Sequence, residues 1–585
     1  MSVEQTSMNQ LITDNIDIWT STVKAKSSSG RGSSKKRELY GVKKLRELIL
    51  ELAVRGKLVP QDPNDEPASG LLLESLEEKE ALLKQGLIKK SRSKKTIKEE
   101  HFYDYPASWG VSRLEDLIHV INGRAYKKTE MLSEGTPILR VGNLFTSNDW
   151  YYSDLQLEAD KYIDNGDLIY AWSASFGPFI WDGGKVIYHY HIWKMDIFRE
   201  TSLDKEFSKL FLQAISERIK ASGNGIAMIH MTKERMEKVM HPLPPINEQH
   251  RIVAKVDELM TLCDQLEQQT EASIEAHQVL VITLLDTLTN SANADELMQN
   301  WARISEHFDT LFTTEASIDQ LKQTILQLAV MGKLVPQDPN DEPAAKLLER
   351  IAEEKVQLIK DKKIKKQKAL PPIADDKSLG LPSGWCSMKI DHMLDGTRNG
   401  MITGPFGSAL KKSEHQECGF PVWGIESIKS GKFTHRNKIF VSDEKSKELE
   451  SFSAVAGDII ISRSGTIDEV GVIPVGVVDG LISTNLIRVS LLDKLVEPEY
   501  FCFLFKGSLQ VLDKIKEMCA GTTRLFLNQK ILKALDFPIP PLQEQRRIIL
   551  AVEQLFDICE LLKKRLNASQ QVQIKLTDAI VEQVI

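Results

Sequence analysis

The stretch "GKLVPQDPNDEPA" at residues 56–68 returns without a change at 332–344, 276 residues later. Chance does not produce an identity of that length, so the chain carries a duplication and must fold as something built twice. The match extends backward: "LRELILELAVR" (45–55) aligns with "LKQTILQLAVM" (321–331), both with leucine and isoleucine at helical spacing, and Gly56 and Gly332 follow as helix C-caps. Pro60, Pro63 and Pro67 forbid a helix through the loop itself. The sequence predicts a second helix after it, with Leu72, Leu73, Leu76 and Leu83 on one face, matched by Leu348 and Ile359. The offset of 276 persists to "PASW" (106–109) against "PSGW" (382–385).

Beyond the tryptophans the copies diverge between a few retained stretches. "GTPILR" (135–140) pairs with "GFPVWG" (419–424) at offset 284, "GDLIYAWS" (166–173) with "GDIIISRS" (457–464) at 291, and "PLPPINEQHRI" (242–252) with "PIPPLQEQRRI" (538–548) at 296. Similarity then rises again: Ile252, Val256, Leu259, Cys263 and Leu266 recur as Ile548, Val552, Leu555, Cys559 and Leu562, the 4-3-4-3 spacing of a heptad seam. Helices starting near 246 and 542 run about 40 residues, roughly 60 Å, long enough to act as spacers. A period this long is a domain duplication and no solenoid. Its order is helix, loop, variable module and long helix, given twice.

Composition bounds the class. At 585 residues the chain exceeds one core, and 42% hydrophobic with 27% charged residues reads as an ordinary soluble globular protein. The first residues lack the basic start and apolar core of a signal peptide, and no apolar run could span a membrane, so a cytoplasmic location is expected. Six cysteines (Cys263, Cys386, Cys418, Cys502, Cys519, Cys559) form no CxxC pair, which fits a reducing compartment and no zinc site. With a net charge of −7, any nucleic-acid-binding charge must be local.

The order of parts, the "PLPPINEQ" and "PIPPLQEQ" boundaries, "GDIIISRSGT" and the repeated loop resemble the specificity subunit of type I restriction-modification systems, closest to the EcoAI-like (type IB) branch. The resemblance covers nearly all of the chain after about residue 38. It implies an α+β fold: two globular target recognition domains in tandem pseudo-repeat, each around a twisted sheet, separated by long conserved helices packed as an antiparallel coiled coil. On that basis the chain divides into a flexible N-terminal segment (1–38), a helical region (39–100), recognition domain 1 (101–245), a central helical region (246–375), recognition domain 2 (376–541) and a C-terminal helix (542–585). The resemblance also implies a non-catalytic, host-defence subunit in which each domain reads one half of a split, asymmetric double-stranded DNA site. Two methyltransferase and two restriction/translocase subunits are the implied partners. No cofactor is expected in this subunit, with S-adenosylmethionine, ATP and Mg on those partners. The repeated loop is then expected to face one methyltransferase per copy, through Gln61, Asp62, Asn64, Asp65 and Glu66 as exposed polar positions.

Candidate DNA-binding residues lie in the diverged zones: Lys127, Lys128, Arg140, Asn143, Trp172 and Ser173 in the first module, and Lys411, Lys412, Arg463, Ser464, Thr523 and Arg524 in the second. Arginine can pair bidentately with guanine and asparagine with adenine. Basic runs at 84–98, with seven Lys or Arg and no acid, and at 360–368, with six lysines and one aspartate, precede the modules and suit either phosphate contact or a solvated linker. His189 and His191 in "YHYHIW" have a spacing a metal could use, but no further ligand is apparent, so packing or DNA proximity is the expectation. "SSSGRGSSKKR" (27–37) reads as a linker rather than a phosphate loop. There is no G-x-x-x-x-G-K-[ST] loop and no Asn-Pro-Pro-aromatic motif, and the single E-x-K triplet at 353–355 sits in an amphipathic helix. Two other readings stay open: a self-sufficient methyltransferase or nuclease, and a coiled-coil adaptor with no role on DNA.

Overall fold

The computed structural model of the chain describes residues 8–25, 37–88, 103–173, 177–222, 232–360, 381–396, 398–406, 409–429, 431–463, 469–492, 494–519 and 526–585. The chain divides into two compact units, Met1–Ser273 with Ser569–Ile585, and Ile274–Ala568. The helices that carry the repeat are α1 (Tyr40–Val54), α2 (Ala68–Lys84) and α3 (Ile246–Asn290), then α4 (Glu315–Val330), α5 (Ala344–Lys360) and α6 (Leu542–Val584). Each long helix begins in one unit and ends in the other: α3 leaves the first after Ser273, and α6 leaves the second after Ala568.

In the first unit α1 turns Val42, Leu45, Leu48, Ile49 and Leu52 inward, and they share one core with Ile252, Val256, Leu259 and Cys263 of α3. In the second, Ile318, Leu321, Ile325 and Leu328 of α4 share a core with Ile548, Val552 and Cys559 of α6. The heptad seams read from the sequence are therefore closed inside each unit by the repeat's own helix. Ion pairs edge these seams, Arg46 with Asp264 (2.6 Å) and Glu267 (2.8 Å), and Lys322 with Glu560 and Lys563 with Asp319 in the second unit. Each fully buried leucine or isoleucine contributes about 1.5–3 kcal/mol, whereas a part-exposed ion pair contributes about 0–1 kcal/mol. The apolar seam dominates.

The far end of each long helix completes the other unit's core. Val281, Leu285 and Leu288 of α3 are buried in the second unit, and Ile580, Val581 and Val584 of α6 pack on the core of the first. The terminal carbonyls are met by equivalent lysines: Lys333 Nζ donates to Thr289 O at 2.7 Å and Ser291 O at 2.9 Å, and Lys57 Nζ donates to Ile585 O at 2.7 Å. A cation at a helix C-terminus satisfies orphan carbonyls and opposes the dipole. Tyr40 also donates to Asp578 at 2.7 Å, and the buried hydroxyls of Thr22 and Thr577 lie 3.1 Å apart.

The helix stops have a steric cause. Gly56 (φ +70°) and Gly332 (φ +69°) are left-handed. A Cβ at Gly56 would lie 2.5 Å from Pro106 and 2.8 Å from Trp109, and one at Gly332 would lie 2.6 Å from Pro382 and 3.0 Å from Trp385. The tryptophans of "PASW" and "PSGW" thus cover the helix ends, which is why both ends of this arm repeat together.

Among the described residues each unit contains two four-stranded sheets with the same strand order. In the first these use β1 (Ile118–Asn122), β2 (Thr136–Leu139), β3 (Tyr151–Ser153), β4 (Tyr162–Ile163), β5 (Leu168–Ala171), β6 (Gly177–Ile180), β7 (Val186–Tyr188) and β8 (Ile192–Ile197). In the second they use β9 (Met401–Thr403), β10 (Phe420–Trp423), β11 (Ile439–Val441), β12 (Ser453–Ala454), β13 (Ile459–Ser462), β14 (Val470–Val472), β15 (Gly480–Ile482) and β16 (Leu486–Val489). The orders are β3-β2-β7-β4 and β1-β8-β5-β6, then β11-β10-β15-β12 and β9-β16-β13-β14, with one parallel pair in each unit, β2 with β7 and β10 with β15. Strands β5 and β13 are buried throughout, as their unbroken apolar runs require. A two-stranded ladder joins the start and end of each module, Gly110–Arg113 with Met240–Leu243 and Cys386–Lys389 with Asp536–Ile539. The second unit adds a hairpin, Ile428–Lys429 with Lys432–Phe433, where the offset rises from 284 to 291.

Two expectations are corrected. The N-terminal segment is not simply flexible: Met8–Asp14 and Ile16–Ser21 are helical, Met8 and Ile12 are buried, and Trp19 has no exposed surface. Gly41 makes room for it, because a Cβ there would collide with the Trp19 carbonyl. The stretch 26–36 lies outside the described residues. On α2 the buried positions are Ala68, Leu71 and Ser75, and Leu73 is 62% exposed, so the inward face is one position earlier than the leucines suggest. Among the described residues no helix is long and apolar enough to cross a membrane.

Candidate nucleic-acid interface

Where β5 and β13 leave their sheets, the two units present the same backbone construction with different side chains. In the first, Trp172 N donates to His191 O at 3.1 Å and its indole Nε1 donates to Tyr190 O at 2.8 Å. Trp172 is stacked on Trp193 (5.7 Å between ring centroids), which is stacked on Tyr170 (5.9 Å). This column of rings fixes the direction of the indole. In the second, Arg463 N donates to Asn485 O at 3.0 Å and Nη1 donates to Thr484 O at 3.1 Å. Its guanidinium lies over Phe526 (4.3 Å) and Phe406 (5.5 Å), and these phenyl rings are 43% and 63% exposed. Arg463 itself is buried, and burial lowers its pKa.

The loops so anchored are His189-Tyr190-His191 and Ser483-Thr484-Asn485. Each is pressed against a glycine, Gly123 or Gly404, where a Cβ would strike the carbonyl of His189 or Ser483. Tyr190 N donates to Arg124 O at 3.1 Å, and Thr484 Oγ1 donates to Pro405 O at 2.5 Å. The three rings of the first loop cluster, with centroids 4.0–4.8 Å apart, and Tyr190 is 40% exposed. Burial, then the neighbouring His191 and Arg140, pushes the His189 pKa down to about 4, so its ring is neutral at pH 7. Among the described residues no group of three or more His, Cys, Asp or Glu is arranged to hold a metal ion.

Just beyond these glycines each unit forms a lysine turn. Lys127 N donates to the Glu130 carboxylate at 2.8 Å, and Lys411 N donates to Glu414 at 2.6 Å. Arg124 holds Glu130 with two bonds, 2.8 and 3.1 Å, and Lys445 holds Glu414 at 2.9 Å. Both carboxyls are kept below the usual range, Glu130 chiefly by Arg124 and Glu414 chiefly by the Lys411 backbone N–H. Lys127, Lys128, Lys411 and Lys412 are exposed.

Arg140 and Asn143 belong to a separate segment after β2, Arg140 capping and Asn143 lying in the short helix Val141–Phe145. Asn143 Oδ1 accepts from Arg140 N at 3.1 Å and its Nδ2 donates to Asp149 O at 2.9 Å, so both ends of its amide shape the chain locally. Arg140 Nη2 donates to the same Asp149 carbonyl at 3.1 Å and covers Tyr151 at 4.3 Å. Ser173 follows Trp172 and is half-buried. Ser464, Thr523 and Arg524, and the basic runs over 89–98 and 361–368, lie outside the described residues. Tyr190, Phe406 and Phe526 were not singled out by the sequence; aligning the loops after β7 and β15 would have marked Tyr190 alone, because Phe406 and Phe526 reach Arg463 from other parts of the chain.

The repeated loop is tied to its own unit through Gln61 and Asp65: Gln61, Asp62, Asn64 and Glu66 are exposed as expected, whereas Asp65 is not. Asp65 accepts two bonds from Arg251, 2.7 and 3.3 Å, and only 6% of its side chain is exposed. Asp341 does the same with Arg547 at 2.7 and 3.4 Å. Trp109 Nε1 donates to Glu248 at 3.0 Å and Trp385 Nε1 to Glu544 at 3.1 Å, while Gln61 also donates to Glu248. Gln249 and Gln545, fully buried, tie the start of each long helix to Pro244 O and Ser202 O, or to Pro540 O and Leu495 O. In the "EQ-x-R" of each proline boundary the Glu and Arg thus receive the loop, while the Gln fixes the start of the helix. The Asp62 carboxylate accepts from the backbone N–H and the side-chain amide of Asn64, and the Asp338 carboxylate accepts from those of Asn340.

Two tandem units of one topology, joined by long helices and differing at equivalent exposed edges, define a protein built from duplicated modules. A family model described as the type I restriction modification DNA specificity domain matches residues 106–276 and 405–570. The type I restriction enzyme EcoEI specificity subunit of Escherichia coli is 37% identical, covering 98% of this chain and 99% of that protein. The EcoAI specificity subunit of Escherichia coli is 38% identical, covering 99% of this chain and 100% of that protein. A chain from a solved type I R-M system is similar at 18% identity with a TM-score of 0.46, covering 82% of this chain and 98% of that one. This chain belongs to the family of type I restriction-modification specificity subunits, in its EcoAI-like branch.

Proposed function

We propose that this chain is the sequence-recognition and assembly subunit of a type I restriction-modification complex, each unit reading one half of a bipartite, asymmetric double-stranded DNA site. The observation that carries this reading is the shared frame with exchanged contents: one position holds Trp172 in the first unit and Arg463 in the second, closing loops of unrelated side chains. Two readers on one mounting need that arrangement. An adaptor without a role on DNA does not. The long helices α3 and α6 set the unread spacer between the half-sites and, with α1, α2, α4 and α5, carry two methyltransferase subunits, to which two restriction/translocase subunits add. S-adenosylmethionine, ATP and Mg belong to those partners, and the assembly works in the cytoplasm.

The test is to express the chain with its methyltransferase and map methylated adenines genome-wide. Two short unequal motifs at a fixed unread distance are expected. One contiguous motif, or methyl transfer by the chain alone, would contradict the reading.

A further inference from the structure

The two units can be compared element by element, because their sheets share one strand order. Lys127-Lys128 and Lys411-Lys412 occupy the same turn, each closed by a carboxylate three residues after its first lysine. The carboxylate is held by different partners, Arg124 in one unit and Lys445 in the other, yet the outward pair of ammonium groups is the same. All four lysines are exposed, and none takes part in an ion pair among the described residues. One glycine away lies the anchored loop, where the backbone is the same and the side chains are not: His189, Tyr190 and His191 against Ser483, Thr484 and Asn485.

Phosphates are the same at every base pair, so groups that bind them carry no sequence information, whereas base edges differ in donor and acceptor pattern. What two readers of different half-sites hold in common cannot encode the difference between them. What they hold on the same backbone with different side chains can.

We propose that each unit divides its contact with DNA, the lysine turn gripping backbone phosphates regardless of sequence and the loop held by Trp172 or Arg463 meeting the base edges. This rests on the reading of the units as recognising two different half-sites. It separates Lys127, Lys128, Lys411 and Lys412, as affinity residues, from residues 189–191 and 483–485, as specificity residues.

The experiment uses the full chain in complex with its methyltransferase and measures binding to a duplex carrying the mapped site and to an unrelated duplex across a salt series. Each pair, K127Q with K128Q or K411Q with K412Q, is expected to weaken both duplexes by the same factor and to reduce the slope of log K against log salt by about 1.8, at about 0.9 per phosphate contact. The arginine versions should restore the slope, and the methylated sequence should not change. Exchange of residues 189–191 for Ser-Thr-Asn, or Tyr190→Ala alone, should leave the slope as it was and alter or abolish recognition of one half-site. An unchanged slope in both glutamine pairs, a changed methylated sequence in either, or an unchanged sequence after both loop alterations overturns the division. If the unaltered complex shows no preference for the mapped site, the two-reader reading falls and the division falls with it.

Discussion

Trp172 and Arg463 close equivalent loops in the same way: the indole Nε1 donates to Tyr190 O at 2.8 Å, and the guanidinium Nη1 donates to Thr484 O at 3.1 Å. Both side chains are flat, both carry an N–H at the rim, and both rest against aromatic rings. The frame needs a planar donor at this point and accepts two chemistries for it. That leaves the loop's outward residues free to differ without disturbing the sheet beneath.

Trp172→Phe keeps a ring to stack on Trp193 and removes the donor. The loss of this one exposed hydrogen bond should cost about 0.5–1 kcal/mol in unfolding free energy. Urea titration would register that change, while methylation at sites altered only in one half should become less selective. Equal loss of selectivity at both halves would mean the anchor acts globally and not on its own loop.

Gly56→Ala and Gly86→Ala provide a matched comparison, since both glycines are left-handed (φ +70° and +74°) but only Gly56 is enclosed. At Gly86 nothing lies within 4 Å of an added Cβ, so the left-handed conformational penalty of about 1–2 kcal/mol should stand alone. At Gly56 the methyl meets Pro106 and Trp109, and an overpacking cost of about 1–3 kcal/mol should add to it. Gly332→Ala should behave like Gly56→Ala. Equal melting points for the Gly56 and Gly86 variants would show that Trp109 does not cover the helix end.

Glu248 gives the chain a pH-dependent element. Burial, only partly offset by bonds from Trp109 and Gln61, raises its carboxyl above the ordinary value. A carboxyl raised on folding stabilises fully below its unfolded pKa, and that contribution disappears as pH rises through the folded value. Glu248→Gln keeps Oε1 as acceptor for Trp109 and removes the buried charge. The variant should match or exceed the parent's stability at pH 7, and the difference should shrink toward pH 4. Asp65 runs the other way: the Arg251 bond lowers its pKa, so its contribution is present above its unfolded pKa and fades as pH falls. A Glu248→Gln variant that gains stability only in acid would contradict the assignment.

The loop acids separate by the same structure. Asp65→Lys opposes Arg251 and exposes the receptor, and should lower stability by more than the roughly 1 kcal/mol expected for a part-exposed ion pair. Asp62→Lys with Glu66→Lys, both exposed, should change it by no more than about 0.5 kcal/mol. If the loop also meets the methyltransferase, co-purification with the Asp62 and Glu66 variant should fall although its melting point does not. Retention of the methyltransferase at full affinity would leave the loop as internal scaffold.

Much of this architecture was legible in the residues. The identical loops, the glycine stops and the proline boundaries marked the repeat, and the spacing of Ile252, Val256, Leu259 and Cys263 marked a buried face. Periodicity tells which face is buried but not what covers it, so the seam's partner, α1 in the first unit, needed the fold. Asp65 and Arg251 lie 186 residues apart, and nothing local distinguishes Asp65 from the exposed Asp62. Leu73 points outward because α2 enters from Pro67 with Ala68 and Leu71 already inward, a phase the leucine count cannot give. Trp19 is buried where its backbone approaches Gly41 closely, a contact between positions 22 residues apart that composition cannot show. Asn143 is marked by residue type alone, which cannot show that its amide bonds Arg140 N and Asp149 O.

The central claim is that two modules on one frame read DNA independently. Replacing residues 110–241 with the corresponding module of a relative, leaving both long helices intact, and mapping methylated adenines in cells that also carry the methyltransferase tests it most directly. One half of the recognised sequence should change while the other half and the spacer stay as they were. A change in both halves together, or in neither, would contradict it.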